Sequence, residues 1–256
     1  MRAQAFAFLT FCFLPAPGPG AKAACGEAAL QNARAVSVSD ALDVSLDNGL
    51  ELRLSGIDTV SGGRAALLAA LREGLPPGAA VQFTAGEARD RWGRAAAQLY
   101  LPPERPGLPP DWVQGVLVAK GLARIWPEAE RNPCWKELAA TETAARQERR
   151  GLWAAGDTAE WIGDKDKVLA AAGARGVFRG RVTGIGQGRA SYFINFGRAQ
   201  AGIPSLRVPK RLQHDLKQAG IELEQLRGRM IRIRGIVTAG SQTYVAVSQA
   251  EQIELE

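Results

Sequence analysis

The feature that constrains the fold most is a period-two alternation of apolar and polar residues near the start of the chain. It occupies three short stretches, residues 36–38, 42–46 and 50–54. This period places successive side chains on opposite faces of an extended chain, which indicates half-buried strands. Asp47-Asn48-Gly49 separates the last two stretches, and Asn and Gly tolerate the positive φ of tight turns. The sequence therefore predicts a β-hairpin within a set of short strands.

Helical patterns and two further strands follow, and their order suggests a barrel. Helices are predicted at residues 64–73, 112–122 and 135–150. Strands are predicted at residues 81–84 and 97–101. The first and third helices end at typical stop signals, Gly74 before two prolines and Arg149-Arg150 before Gly151. Five short strands with a helix after the third are typical of a small OB-type barrel.

The C-terminal part repeats this order of elements. Strands are predicted at residues 177–182, 191–196, 202–208, 230–237 and 244–247, and a helix at 211–219. The glycine-rich residues 184–188 resemble a phosphate loop, but they lie between two strands without a helix to face an anion, which indicates a hairpin. The predicted fold class is mainly β with α: an OB-type barrel with three helices at residues 24–153, a linker at 154–167, and a second, smaller, basic OB-like barrel at 168–256.

The first 23 residues have the layout of a secretory signal peptide. Arg2 precedes an apolar run at residues 5–14, and Ala21-Lys22-Ala23 forms a small-x-small cleavage pattern. A membrane anchor is the alternative, but about ten apolar residues are fewer than the roughly 20 that a spanning helix needs. We expect cleavage near Ala23 and a periplasmic or secreted protein.

The cysteines fit an exported protein. Of the three, Cys12 would leave with the signal peptide, and Cys25 and Cys134 would remain. In an oxidising compartment, two cysteines are most simply one disulfide, here closing a loop of about 110 residues and worth about 3–4 kcal/mol. Two unpaired buried thiols are the alternative.

The charge of the chain favours one kind of partner, and its histidine content excludes two kinds of site. The net charge is +6, but residues 164–256 alone carry 15 Lys and Arg against 8 Asp and Glu. Such a basic surface favours polyanionic partners. Because His214 is the only histidine, a Ser-His-Asp triad in the first domain and a multi-histidine zinc site are both excluded.

Four segments carry a resemblance to a known family. They are Arg53-Leu-Ser-Gly-Ile-Asp-Thr59, Asp90-Arg-Trp-Gly-Arg94, the WVQGVLVAKGLA run at 112–123 and the TAARQERRGLW run at 143–153. In this order they resemble the thermonuclease (staphylococcal nuclease) family over residues 35–153, as a divergent bacterial exported member with a C-terminal OB-like extension. The resemblance implies a five-stranded OB barrel and, in active members, calcium-dependent cleavage of DNA and RNA.

The resemblance assigns part of a catalytic site. Arg53 and Arg94 match the phosphate clamp, for which the guanidinium fork is suited. Asp58, followed by Thr59, matches one calcium carboxylate, since calcium prefers several oxygen ligands. Asp40 is a further, weaker candidate ligand.

The remaining acids of the family's site are missing. The catalytic glutamate falls on Ser61, and the second calcium aspartate falls on Leu42. A shift of one residue turns a strand side chain to the opposite face, so Asp43 is expected to point away unless a bulge rescues it. A structural alternative makes Arg53 and Asp58 an ion pair and Arg94 a surface residue.

Two surfaces are candidates for nucleic-acid binding. Arg91 and Trp92 match a basic residue and an aromatic ring beside the nucleotide. In the C-terminal part, either Tyr192, Ile194 and Phe196 or the opposite-facing Phe193 must be exposed for a single-strand platform. The basic residues near these aromatic residues in sequence are Arg207, Lys210, Arg211, Arg229, Arg232 and Arg234. A solvated barrel with all its aromatic rings inside is the alternative.

The sequence therefore predicts a thermonuclease-like pseudoenzyme that binds single-stranded nucleic acid or an envelope protein and does not cleave. The first alternative is an active calcium-dependent nuclease that uses Asp40 or Asp43. The second is an envelope scaffold. Calcium is expected only if the protein is active.

Overall fold

The computed structural model describes residues 30–60, 62–103, 105, 107–128, 132–197, 202–240 and 243–256. The predicted signal peptide, Cys25 and Ser61 lie outside these residues, so the export and the Cys25–Cys134 disulfide stay predictions. Cys134 itself is buried and directly precedes a helix.

The first part of the described chain contains short strands and three α-helices. The strands are β1 (Gln31–Val38), β2 (Asp43–Leu46), β3 (Glu51–Leu54), β4 (Ile57–Asp58), β5 (Ala80–Arg89), β6 (Ala95–Leu101), β7 (Asp111–Trp112) and β8 (Arg124–Ile125). The helices are α1 (Arg64–Gly74), α2 (Val113–Ala119) and α3 (Trp135–Gln147). The predicted helices are confirmed, although α2 and α3 each end three residues before the predicted end.

The pairings of five of these strands form a closed ring. β1 pairs with β2 and β5, β2 with β3, and β5 with β6, all antiparallel, while β3 and β6 are parallel. Helix α1 lies between the third and fourth of these strands, as predicted. The hairpin between β2 and β3 is also confirmed, and Gly49 has the positive φ of 81° that its turn needs.

The second part of the chain is also built from short strands with helices between them. Its strands are β9 (Glu160–Trp161), β10 (Arg175–Arg181), β11 (Gly184–Gln187), β12 (Ser191–Asn195), β13 (Ser205–Pro209), β14 (Met230–Thr238), β15 (Tyr244–Ala246) and β16 (Ile253–Leu255). The helices are α4 (Lys165–Ala170) and α5 (Gln213–Gln218). The sheet order is β11-β12-β13-β15-β14-β10-β9, with β13 and β15 parallel. Since β11 and β12 pair as a hairpin, the interpretation of residues 184–188 is confirmed.

Two hydrophobic clusters fill the two parts. The first runs from Ala35 to Leu138 and includes Leu52 and Phe83, and the second runs from Ile162 to Ile253. We call the two parts the N-terminal unit and the C-terminal unit. Residues 154–167, predicted as a linker, contribute to the C-terminal unit, because β9 pairs with β10 and Ile162 is fully buried.

Charged side chains connect the units. Glu142 of α3 forms an ion pair with Arg234 of β14, and Arg146 of α3 forms one with Glu254 of β16. These contacts hold α3 against β14 and β16 of the C-terminal unit. Among the described residues, no helix is long and apolar enough to cross a membrane.

Candidate functional site

A cavity of about 220 Å³ lies between β2, β3, β4 and α1. Its charged lining residues are Asp43, Arg53, Asp58, Arg64, Arg94 and Arg175. The structure therefore brings three predicted site residues, Arg53, Asp58 and Arg94, to one place. Four arginines against two aspartates make the lining electropositive.

Arg94 is held by two carboxylates. Its Nη1 donates to Asp43 Oδ1 and Oδ2 over 3.0 and 3.2 Å, and its Nε donates to Asp90 Oδ2 over 2.8 Å. Burial lowers the pKa of Arg94, but the hydrogen bonds to Asp90 and Asp43 outweigh it and raise the pKa above its ordinary value. The side chain is 19% exposed, so its interpretation as a surface residue is wrong.

Asp43 points into the cavity, so the expectation that it faces away is wrong. Leu42 has a left-handed backbone with φ of 69°, and β2 begins only at Asp43. Leu42 therefore lies outside the strand. The rule that neighbouring strand residues point to opposite faces does not apply between Leu42 and Asp43. In the β2–β3 ladder Asp43 lies directly opposite Arg53.

Arg53 contacts an acid that sequence reasoning missed. It forms an ion pair with Glu128, whose other oxygen accepts a 2.7 Å hydrogen bond from Ser55 Oγ. The proposed structural pair of Arg53 with Asp58 is therefore wrong. Glu128 is 75 residues away in sequence and belongs to no periodic element, so no local pattern indicates it.

Asp58 lies between two guanidiniums. Its Oδ2 accepts a 3.0 Å hydrogen bond from Arg124, which is its cross-strand neighbour in the β4–β8 pair. Its Oδ1 lies 3.5 Å from Arg175 Nη1, and Arg175 belongs to the C-terminal unit. Asp40, in contrast, does not line the cavity: its side chain is 89% exposed and pairs with Arg72 over 2.9 Å.

The carboxylates at the cavity do not fit a calcium ion as they are arranged. Calcium takes six to eight oxygen ligands, with carboxylates prominent among them. Here each oxygen of Asp58 faces a guanidinium, and both oxygens of Asp43 accept from Arg94. Within the described ranges, no group of three or more His, Cys, Asp and Glu side chains is placed to hold a metal ion.

Trp92 stands on a turn beside this cavity. The residue is 62% exposed, and the guanidiniums of Arg91 and Arg94 lie 3.9 and 4.7 Å from its ring centre. Asp90 Oδ1 accepts from the backbone N–H groups of Trp92 and Arg94 over 2.9 and 3.1 Å, which fixes the turn. The turn thus presents an aromatic ring with cations on it.

The C-terminal unit carries a second aromatic surface. Ile194 and Phe196 are buried in its core, so the face shared with Tyr192 is the inner one. Phe193 lies on the outer face opposite Arg207, whose guanidinium is 5.4 Å from the Tyr244 ring. A groove of about 430 Å³ follows this face. Its lining residues are Ala190, Ser191, Arg207, Pro209, Arg211, Tyr244, Ala246 and Val247.

Two arginines expected near this platform are unavailable to a ligand. Arg232 and Arg234 are 3% and 1% exposed, because their face of β14 is covered by α3 and the C-terminal residues. Arg232 pairs with Asp157 and Glu256, and Arg234 with Glu142 and Glu254. Their assignment to a binding platform is therefore wrong.

Comparison with known proteins adds one match. Residues 78–155 match the family model described as staphylococcal nuclease homologue, a range that covers the Trp92 turn, α2 and α3. The N-terminal unit is therefore thermonuclease-like, a mixed β and α domain of the OB type. No curated protein matches the chain.

Proposed function

We propose that this protein binds single-stranded nucleic acid at the nuclease-like site and does not cleave it. One observation carries the proposal: an exposed tryptophan flanked by arginines stands beside a cavity whose two carboxylates are both held by arginines. The exposed tryptophan with its arginines supports binding, and the pairing of the carboxylates with arginines opposes catalysis.

The support for binding comes from Trp92 and its neighbours. A base stacked on an aromatic side chain gains about 1–3 kcal/mol, independently of sequence. Arg91 lies over the same ring and is exposed. Arg53 and Arg94 line the adjoining cavity, where guanidinium groups suit phosphate oxygens. A strand with one base on Trp92 can therefore direct a neighbouring phosphate towards the cavity.

The argument against cleavage rests on the acids. A general base must accept a proton from water, and losing one commonly costs about 10²–10⁴-fold in rate. Asp43 and Asp58 instead accept hydrogen bonds from arginines. Ser61 stands in the sequence where the family has its catalytic glutamate. An active nuclease would need a carboxylate that is free of such partners.

The proposal extends to the rest of the chain. The C-terminal unit is proposed as a second OB-like barrel, because it too joins antiparallel pairs through one parallel pair, β13 with β15, and has helix α5 between β13 and β14. Its outer groove, lined by Arg207, Arg211 and Tyr244, supports a second contact with the same nucleic-acid strand. The signal-peptide layout supports export to the periplasm or the exterior.

Fluorescence anisotropy with a labelled oligothymidylate tests the binding. The protein is expected to bind, and the affinity to fall steeply with salt as counterions are released. Trp92→Ala is expected to weaken binding by about tenfold, in line with the loss of one stacked base.

Trp161→Ala is the matched control, because Trp161 is 51% exposed but lies in the C-terminal unit, on β9. It is expected to bind like the unaltered protein. Equal affinity of the two variants would refute the assigned surface. An unaltered protein that does not bind at low salt would favour the envelope-scaffold alternative.

A further inference from the structure

Arg175 belongs to the C-terminal unit but reaches the cavity of the N-terminal unit. It is the first residue of β10, and its Nη1 lies 3.5 Å from Asp58 Oδ1. The other oxygen of the carboxylate, Oδ2, accepts a 3.0 Å hydrogen bond from Arg124 Nη2. Each oxygen of Asp58 therefore faces one guanidinium, and one of the two comes from the other unit.

Further contacts fix this pair of arginines. Arg124 Nη2 also donates to the backbone carbonyl of Arg175 over 3.1 Å. The guanidiniums of Arg124 and Arg175 lie 5.6 and 5.1 Å from the ring centre of Trp126, within the range of a cation–π contact. The Arg124 side chain is 9% exposed, whereas the Arg175 side chain is 46% exposed. Arg124 is therefore the buried anchor, and Arg175 is accessible from the solvent.

Asp58 together with Arg124 and Arg175 carries the same net charge as a carboxylate bound to a divalent metal ion. One carboxylate with two guanidiniums has a single net positive charge, as does one carboxylate with a divalent cation. An approaching phosphate is attracted in both cases. A guanidinium also supplies N–H donors that match phosphate oxygens in pairs.

We infer that Arg124 and Arg175 take the place of a metal ion beside Asp58, and that Arg175 contacts the phosphate of a bound strand. The inference rests on the proposed binding of nucleic acid at this cavity. It makes the site dependent on both units and independent of calcium.

The test measures binding of a 5′-phosphorylated oligothymidylate of about 20 nucleotides, long enough to cover an OB-type face. Arg175→Ala is expected to weaken binding about tenfold, as loss of a charge-assisted hydrogen bond does. Arg227→Ala is the control: Arg227 is exposed, and its neighbour Gly228 donates a backbone hydrogen bond to Val182, just past the far end of β10. It removes the same charge and is expected to change affinity about twofold at most, because distant charges are screened.

Calcium and a chelator are compared in the same assay, and the affinity of the unaltered protein is expected to be equal in both. Tighter binding that requires calcium, or equal losses in the two arginine variants, would overturn the inference. A double-mutant cycle on thermal stability with Asp58→Asn and Arg175→Ala needs no ligand and is expected to be non-additive. An additive cycle would overturn the placement of Arg175 on Asp58, whereas absence of binding by the unaltered protein would overturn the proposed function.

Discussion

Arg234 is the most buried arginine among the described residues, and its contacts explain how that charge is tolerated. It forms an ion pair with Glu142 and a 2.8 Å hydrogen bond with Glu254. Glu142 is 1% exposed and also accepts the backbone N–H of Ile125 over 2.8 Å. A buried charge that loses its partner costs far more than the pair contributes, because the remaining charge stays desolvated.

Glu142→Gln is therefore expected to reduce the free energy of unfolding by about 3 kcal/mol, since it leaves Arg234 with only the partly exposed Glu254 as a counterion. Urea denaturation followed by circular dichroism measures this change. Glu148→Gln is the control, because Glu148 pairs with Arg150 at the surface with its side chain 53% exposed. It is expected to cost less than about 1 kcal/mol. Similar losses in the two variants would contradict the account.

The element that presents Trp92 is the turn between β5 and β6. Gly93 has φ of 83°, and Asp90 accepts two backbone hydrogen bonds and one from the Arg94 side chain. The hydrogen bond from the Arg94 side chain is the main reason that the pKa of Asp90 falls from its ordinary 3.8 to about 2. The turn therefore depends on an ionised Asp90.

This turn gives a prediction for stability against pH. Because the pKa of Asp90 is lower in the folded protein, its stabilisation is complete above about pH 4 and is lost as the pH falls through about 2. Asp90→Asn removes this dependence. The difference in melting temperature between the unaltered protein and the variant is therefore expected to shrink between about pH 4 and pH 2. A difference that stays constant over this range in thermal scans would contradict the assignment.

Sequence periodicity predicts the secondary-structure elements better than it predicts the contacts between side chains. The β2–β3 hairpin follows from Asn48-Gly49 and from alternation on both sides, which are local signals. Helix α1 follows from an apolar stripe and the stop at Gly74. The predicted face of Asp43 is wrong because the left-handed backbone of Leu42, a conformation that leucine rarely adopts, has no sequence signal.

The partners of the site residues could not be predicted for a different reason. Glu128 is 75 residues from Arg53, and Arg124 is 66 residues from Asp58. Such pairs are set by how strands and units pack, and charge alone allows many alternatives. The assignment of Arg53, Asp58 and Arg94 to one cavity was possible because the family resemblance supplied it.

At the scale of the whole molecule, ion pairs neutralise part of the positive charge of the C-terminal unit. A network of arginines and carboxylates joins the two units and holds Arg179, Arg232 and Arg234. Burial raises the pKa of Glu254, but ion pairing with Arg234 and Arg146 outweighs it and lowers the pKa below its ordinary value. Glu254 therefore stays ionised at neutral pH. Exposed basic residues lie outside this network, Arg91 and Arg175 at the nuclease-like site and Arg207 along the groove.

The central claim is that this thermonuclease-like site binds nucleic acid without cleaving it. Incubation of the purified protein with end-labelled single-stranded DNA, in calcium or in a chelator, tests it on a denaturing gel. The account predicts intact DNA in both conditions at protein concentrations that bind the strand. Calcium-dependent fragments that disappear in a variant carrying Arg53→Ala and Arg94→Ala would contradict it, because they would locate catalysis at this cavity.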